Sequence, residues 1–305
     1  MSAAPAGFVP KRPTIPAHQP DTHPPRVAFP ADACDAHVHV IGPQHLYPHG
    51  PNPGYIPNEA PVSELRKMLG ALGCRRSVIV QPSYYGHDNS CTLDALREGK
   101  GDFRGVVAFD ADTVTDEVLH DMHEAGVRGV RLNVTAKEGK ADLTAIRKTA
   151  ARIAGMQGWH LQLYFYADRM PELDEGLADL PVPVVIDHFG YVNASDGIDG
   201  TGFRMLRRLA ESGRAWFKLS APYRQSKLPP LFEDVGPLAR CLFGIVPDQC
   251  VWGTDWPHVS RNDTGIIRVP NDGELADALI GWIPDAQDRQ RILVDNPARL
   301  YDFRT

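Results

Sequence analysis

Eight short runs of apolar, β-branched residues recur along the chain, at positions 33–40, 75–81, 105–109, 129–134, 160–165, 182–187, 215–219 and 250–253. Between them lie segments whose apolar residues repeat at about 3.6 positions, the signature of an amphipathic helix. These segments are 62–72, 116–125, 143–154, 170–180, 202–211 and 231–242. Strand followed by helix, repeated in this way, predicts an α/β chain folded as a distorted (β/α)8 barrel of the TIM type. A doubly wound, two-domain fold also alternates strands and helices. Here, however, no Gly-rich dinucleotide loop is present, and no linker-like change of composition divides the chain after residue 30. The expectation is a single barrel domain, and 305 residues with 43% apolar content suffice to fill its core.

The two ends read differently. Residues 1–30 carry eight prolines, which disfavour helix and predict an extended segment running over the surface. Residues 31–305 then form the barrel. Beyond the eighth strand, 272–282 and 288–293 are helix-like, followed by Asn296-Pro297-Ala298-Arg299-Leu300-Tyr301. Pro297 suits the first turn of a terminal helix capped by Asn296, and these C-terminal helices are expected to close the barrel.

Charge and cysteine usage narrow the function classes. A net charge of −6 with interspersed signs offers no basic stripe to a phosphate backbone, so nucleic acid is not an expected partner. No apolar run approaches the roughly 18 residues of a membrane span, and the N-terminus lacks an apolar signal core. A cytoplasmic protein without membrane contact is expected. The five cysteines contain no CxxC pair and are read as reduced, with Cys34 and Cys250 as small core residues. Oligomeric state is left open, with a homo-oligomer allowed.

In a (β/α)8 barrel the reactive groups stand at the carboxyl ends of the strands. The first strand ends in His37-Val38-His39 before Gly42-Pro43. Histidines at i and i+2 share one side of a strand and converge on one spot. The eighth runs through Val251-Trp252-Gly253-Thr254-Asp255-Trp256-Pro257-His258, and a neighbouring strand in a closed barrel brings Asp255 to the same place. The other strand ends add Gln81 and Ser83; Arg128, Arg131 and Lys137; Tyr164 and Tyr166; Asp187 and His188; and Lys218, Ser220, Tyr223 and Arg224. So many ionisable groups must be paired or solvated, which suits the polar mouth of an active site. Singly, each has a plainer reading: His188 as a structural histidine, Asp187 as a cap, Arg131 as an ion-pair partner, and His87-Asp88-Asn89 as a turn or helix cap. His160 starts its strand and so belongs to the wrong end of the barrel.

Taken together and in order, these motifs resemble the amidohydrolase superfamily. The likeness rests on Asp35-Ala36-His37-Val38-His39, Ile186-Asp187-His188-Phe189-Gly190 and Trp252-Gly253-Thr254-Asp255-Trp256-Pro257-His258. Within it, the amidohydrolase 2 branch of 2-pyrone-4,6-dicarboxylate lactonase and related lactone hydrolases is the most similar. Val80-Gln81-Pro82-Ser83, Gly129-Val130-Arg131-Leu132-Asn133, Leu163-Tyr164-Phe165, Trp216-Phe217-Lys218 and Asn296-Pro297-Ala298-Arg299-Leu300-Tyr301 support that branch.

The resemblance implies hydrolysis of an acidic lactone in aromatic-compound catabolism, with 2-pyrone-4,6-dicarboxylate or a carboxy- or sulfo-muconolactone as the small anionic substrate. Asp255 is then the general base toward water, and His37, His39 and His188 polarise the carbonyl and stabilise the oxyanion. Ser83, Arg131, Lys137, Tyr164, Arg224 and His258 are expected to contact the substrate, the arginines through its carboxylates. The branch works without a metal, and the fifth strand ends in Tyr164 and Tyr166 rather than a ligand, so no cofactor is favoured. Zinc held by His37, His39, His188 and Asp255 is the alternative. Tyr191 and Lys137 stand where the lactonase has arginines, which keeps a sugar-acid lactone open as substrate. A zinc-dependent decarboxylase of an aromatic or unsaturated acid is the reading from another reaction class.

Overall fold

A computed structural model describes residues 15–51, 53–134, 136–137, 140–259 and 268–303, with the side chains of 136, 137, 140 and 141 outside the description. Eight parallel strands form one sheet in chain order: β1 (Cys34–Val38), β2 (Arg76–Val80), β3 (Phe103–Val107), β4 (Val127–Asn133), β5 (His160–Tyr164), β6 (Val184–Ile186), β7 (Ala215–Ser220) and β8 (Cys250–Gly253). The sheet closes on itself where Val38 bridges Trp256, with Asp255 N–H donating to His37 O (2.8 Å) and His39 N–H to Trp256 O (2.7 Å). This is the expected (β/α)8 barrel. Its outer layer includes α1 (Val62–Leu72), α2 (Ser90–Gly99), α3 (Asp116–Glu124), α4 (Leu143–Ile153), α5 (Leu173–Leu177), α6 (Thr201–Glu211), α7 (Gly236–Ile245) and α8 (Asp272–Trp282).

The register explains how histidines come to line the interior. Cys34 pairs with Arg76 and Asp35 with Ser77, but Val38 pairs with Ile79, so Ala36 and His37 together oppose Val78. This bulge reverses the alternation and turns His37, and with it His39, into the barrel. Cys34, Ala36, Val78, Val80, Val106, Val185, Trp216 and Val251 fill the lower interior, sealed by Leu300, Tyr301 and Phe303 of the C-terminus. The larger apolar cluster lies between strands and helices.

Several local expectations change. The segment at 170–180 yields only the short α5, because Pro181-Val182-Pro183 follow closely and the residue before a proline avoids helical geometry. The expected helix 231–242 begins later, as α7, after a 3-10 turn at Glu233–Val235. Ser90–Gly99 is a helix absent from the expected segments; Asp88 Oδ1 accepts from Ser90 N–H at 3.0 Å in a turn just ahead of it, while its N-cap, Asn89, makes no side-chain cap hydrogen bond. Asn296 is not an N-cap. The helix is continuous from Ala286 through a π turn at Arg291–Asp295 into Asn296–Tyr301, so the Asn296 amide donates instead to Pro247 O (2.9 Å) and Cys250 O (2.7 Å).

Residues 15–30 run without helix or strand, and residues 1–14 of the proline-rich segment lie outside the described range. Ile15 N–H donates to Ile56 O (2.9 Å), Gln19 to Val269 O (2.7 Å) and Arg26 N–H to Asp277 (2.7 Å). Among the described residues no helix is long and apolar enough to cross a membrane, and the five cysteines are unpaired.

Candidate active site

Above the apolar floor, the barrel interior becomes polar one layer at a time. Lys218 on β7, Gln162 on β5, Asp187 just past β6 and His37 on β1 are all buried. Lys218 Nζ donates to Gln162 Oε1 (2.7 Å) and lies 3.3 Å from His37 Nδ1. Asp187 Oδ2 accepts from Arg131 Nε (2.8 Å) and Gln162 Nε2 (3.1 Å), while its Oδ1 lies 3.3 Å from His37 Nδ1. Burial alone would raise the Asp187 carboxyl; Arg131, His37 and Lys218 outweigh it and hold the group well below the usual carboxylate range. Burial likewise brings Lys218 down to about 8, against the pull of Asp187. Asp187 is thus an anion that, with Lys218, faces the Nδ1 edge of the His37 ring, leaving Nε2 on the opposite edge toward Asp255.

At the top of this layer three imidazoles meet one carboxylate. Asp255 Oδ1 lies 3.3 Å from His39 Nε2, 3.6 Å from His188 Nε2 and 3.7 Å from His37 Nε2. The opposite ring nitrogens are engaged: His39 Nδ1 with Val80 O (2.7 Å) and His188 Nδ1 with Ser220 Oγ (2.8 Å). Since Val80 O accepts only, His39 Nδ1 carries a proton. The other oxygen, Asp255 Oδ2, accepts from Tyr223 Oη (2.5 Å) and from Arg224 Nε (2.9 Å) and one terminal nitrogen (2.6 Å). Burial would raise this carboxyl, but the Arg224 guanidinium, with His188, more than offsets that and keeps it well below its ordinary range. Burial pushes His188 down to about 3 and lowers His37 as well, with Lys218 adding to the effect.

The backbone holding these groups is strained. His188, Phe189 and Tyr191 after β6 have φ of 48°, 52° and 54°, and Asp255 after β8 has φ of 68°. Non-glycine residues in this left-handed region concentrate at functional sites. Asp35, just before the bulge, ties β1 to β8: its carboxylate accepts from Thr254 Oγ1 (2.6 Å), Thr254 N–H (3.0 Å) and His37 N–H (3.1 Å).

A cavity of about 310 Å³ opens over this cluster, lined among others by His39, Ser83, Arg131, Tyr164, Arg224 and Asp255. Tyr166 and Tyr191 complete an aromatic wall with Tyr164, ring centroids 4.6 to 6.0 Å apart. The Arg131 guanidinium stacks over Tyr164 at 5.0 Å. Its Nε is taken by Asp187, and its terminal nitrogens take no hydrogen bond among the described residues.

The structure therefore brings His37, His39, His188 and Asp255 together and places Ser83, Arg131, Tyr164 and Arg224 on the cavity wall. Two other expectations come out differently, and a third falls outside the description. His258 is not a cavity residue: its ring is engaged behind Asp255 with Tyr223 Oη (3.2 Å) and Asp272 (3.0 Å). Arg128 starts β4 and pairs with Asp302 at the opposite end of the barrel (3.0 Å). The side chain of Lys137 lies outside the described residues. Gln162, Asp35, Asp272 and Tyr55, which also lines the cavity, escaped the sequence reading. Gln162 sits mid-strand rather than at a strand end, whereas Asp35 stood in plain view as the first residue of the His-x-His motif.

The donor set fits a divalent cation. His37 Nε2 and Asp255 Oδ1 are buried without a hydrogen-bond partner among the described residues, and a neutral His39, with its proton on Nδ1, would point a lone pair at the anionic Asp255 Oδ1. His37, His39 and Asp255 group as potential ligands, as do His37, Asp187 and His188. The separations of 3.3 to 3.7 Å around Asp255 Oδ1 resemble the edges of a tetrahedron with metal–ligand bonds of roughly 2.1 Å.

A sequence model of the amidohydrolase family matches residues 34–303. The chain belongs to the amidohydrolase family. It is 39% identical to a 4-sulfomuconolactone hydrolase from Hydrogenophaga intermedia, over 92% of this chain and 91% of that protein. It is 37% identical to a 2-pyrone-4,6-dicarboxylate hydrolase from Comamonas testosteroni, over 91% and 92% respectively. Among solved structures, one from Pseudomonas putida, provisionally named a 2-pyrone-4,6-dicarboxylic acid hydrolase, superposes with a TM-score of 0.75 at 32% identity, covering 91% of this chain and all of that one.

Proposed function

We propose that this amidohydrolase-family protein hydrolyses an acidic lactone, with Asp255 removing the proton from the attacking water. The observation that carries this reading is the asymmetry of one carboxylate. Oδ2 is saturated by Tyr223 and Arg224, while Oδ1 is left for the centre of three imidazoles beneath the cavity. A water there is within reach of a base that is ionised and cannot turn away. As the carbonyl oxygen gains charge, His39 and His188 lie beside it, and an N–H or a bound cation at their Nε2 side stabilises the oxyanion.

Substrate charge is read by Arg131, whose terminal nitrogens have no hydrogen-bond partner among the described residues and whose Nε is anchored to Asp187. A carboxylate or sulfonate matches that fork. Arg224 is already paired with Asp255, which favours recognition centred on one strong anionic contact over a clamp on two. The wall of Tyr164, Tyr166 and Tyr191 suits the face of a flat, unsaturated ring such as a muconolactone or pyrone, and suits a hydroxyl-rich sugar-acid lactone less well. The relatives named as sulfomuconolactone and pyrone-dicarboxylate hydrolases support the same class. Decarboxylation is disfavoured because Tyr164 ends β5 where metal-dependent decarboxylases are expected to place a histidine ligand.

The cluster needs positive charge between Asp255 Oδ1 and the imidazoles. In the reading without a metal, a proton on His39 Nε2 faces Asp255 Oδ1 at 3.3 Å. In the other, supported by the unpartnered His37 Nε2 and Asp255 Oδ1, His37, His39, His188 and Asp255 hold a divalent cation. Such an ion supplies Lewis-acid polarisation of the lactone carbonyl. The testing experiment is turnover of 4-sulfomuconolactone, 2-pyrone-4,6-dicarboxylate and a sugar-acid lactone by purified protein. Hydrolysis of at least one of the unsaturated acids is expected. Turnover of the sugar-acid lactone alone would overturn the substrate class, and turnover of none would overturn the hydrolase reading.

A further inference from the structure

We propose that Tyr223 and His258 are positioning residues for Asp255, belonging to a buried hydrogen-bond chain that ends at Asp272 and is covered on its outer side by the N-terminal segment. The proposal rests on the hydrolase reading only in treating Asp255 as the reacting base. Its links are Asp255 Oδ2 to Tyr223 Oη (2.5 Å), Tyr223 Oη to His258 Nδ1 (3.2 Å) and His258 Nε2 to Asp272 Oδ1 (3.0 Å). His258, Asp255 and Asp272 are buried, as is Tyr223.

Counting protons gives the chain a direction. Ionised Asp255 only accepts, so the single Tyr223 hydroxyl proton points to it. Tyr223 oxygen must then accept from His258 Nδ1–H, and the link from His258 Nε2 to Asp272 needs a proton of its own. Asp272 therefore holds the far edge of the His258 ring, so that Nδ1 stays aimed at the Tyr223 oxygen. The result is a fixed donor aimed at Oδ2, which leaves Oδ1 as the oxygen that meets the histidines. Asp255 and His258, with φ of 68° and 66°, both hold left-handed backbone, so the segment that carries them depends on such outside support.

Asp272 is the first residue of α8, and residues 18–23 pack on that end. Thr22 Oγ1 donates to Asp272 Oδ2 (3.4 Å), Asn271 Nδ2 donates to Asp21 O (2.8 Å), and His23 N–H donates to Asn271 Oδ1 (3.3 Å). The His18 ring lies 4.8 Å from Trp256, the residue after Asp255. At Gly273 a Cβ would collide with the His23 backbone carbonyl, so Gly273→Ala pushes the segment away without altering any residue of the chain.

The test measures kcat and KM for 4-sulfomuconolactone and 2-pyrone-4,6-dicarboxylate in Tyr223→Phe, His258→Ala, His258→Gln and Gly273→Ala, alongside crystal structures of wild type and Tyr223→Phe. Outer-shell partners typically contribute about 10- to 100-fold to activity. A fall in kcat of that size is expected for Tyr223→Phe and His258→Ala, with KM within about twofold, partial recovery in His258→Gln, and a smaller fall in Gly273→Ala. In the crystals, the Asp255 carboxylate is expected to turn away from the three histidines once Tyr223 loses its hydroxyl. Unchanged kcat in Tyr223→Phe, or an Asp255 that keeps its orientation there, overturns the proposal. If wild type hydrolyses neither lactone, the hydrolase reading fails while the crystal comparison still decides whether Tyr223 positions Asp255.

Discussion

His37 Nε2 lies 3.7 Å from Asp255 Oδ1, and neither of these buried atoms has a hydrogen-bond partner among the described residues. An unpaired buried polar atom is costly, and two facing each other mark a place where the fold keeps room for something else. Everything around them works to hold that place open: Asp187 and Lys218 on the far side of His37, Tyr223 and Arg224 on the far side of Asp255.

The first prediction concerns that place directly. If a divalent cation occupies it, purified protein contains about one equivalent of metal, and dialysis against a chelator abolishes turnover until zinc or a similar ion is restored. If a proton occupies it, chelated protein free of metal by elemental analysis turns over at the original rate. Metal analysis and rate on one sample separate the two.

Arg131 is expected to recognise the anionic group of the substrate. Arg131→Lys keeps charge but loses the planar fork, and is expected to raise KM for an acidic lactone about tenfold or more. Hydrolysis of a neutral lactone should change far less. Equal losses for both would remove Arg131 from substrate recognition.

Asp187 compensates Arg131 and Lys218 inside the barrel. Removing one partner of a buried ion pair costs about 3–5 kcal/mol, so Asp187→Ala should lower thermal stability by several degrees and release His37. A melting temperature equal to wild type would show that water or rearrangement replaces the carboxylate.

Gly253 keeps β1 and β8 close: a Cβ there would sit 2.6 Å from the His37 backbone nitrogen. Gly253→Ala should therefore push His37 and Asp255 apart, losing activity and stability together, although it alters no side chain of the site. Full activity in a folded Gly253→Ala protein would mean that the seam between β1 and β8 tolerates expansion.

The barrel was legible because β-branched runs and helical spacing are local properties, and all eight runs became strands. Register was not. The bulge that turns His37 inward depends on pairing with β2, which no periodicity within residues 33–40 reveals. The same limit explains His258: it follows Asp255 closely in sequence, but left-handed backbone at both residues sends its ring behind the carboxylate to Tyr223 and Asp272. For Arg224 the resemblance implies a substrate contact, and its side chain does line the cavity, but its pairing with Asp255 is a tertiary fact that no local pattern carries. Asn296 was read as a cap from its neighbour Pro297, and the continuous helix through the π turn gave its amide a different task.

The account turns on Asp255 as the base, so the most direct measurement is the kcat of Asp255→Asn with an acidic lactone that wild type hydrolyses, with folding checked by circular dichroism. Asn keeps the shape but cannot take a proton, and general-base catalysis contributes about 10²–10⁴-fold. A loss of that size in a folded protein is the predicted result. Turnover within about tenfold of wild type would contradict the central claim and move the base elsewhere in the cluster.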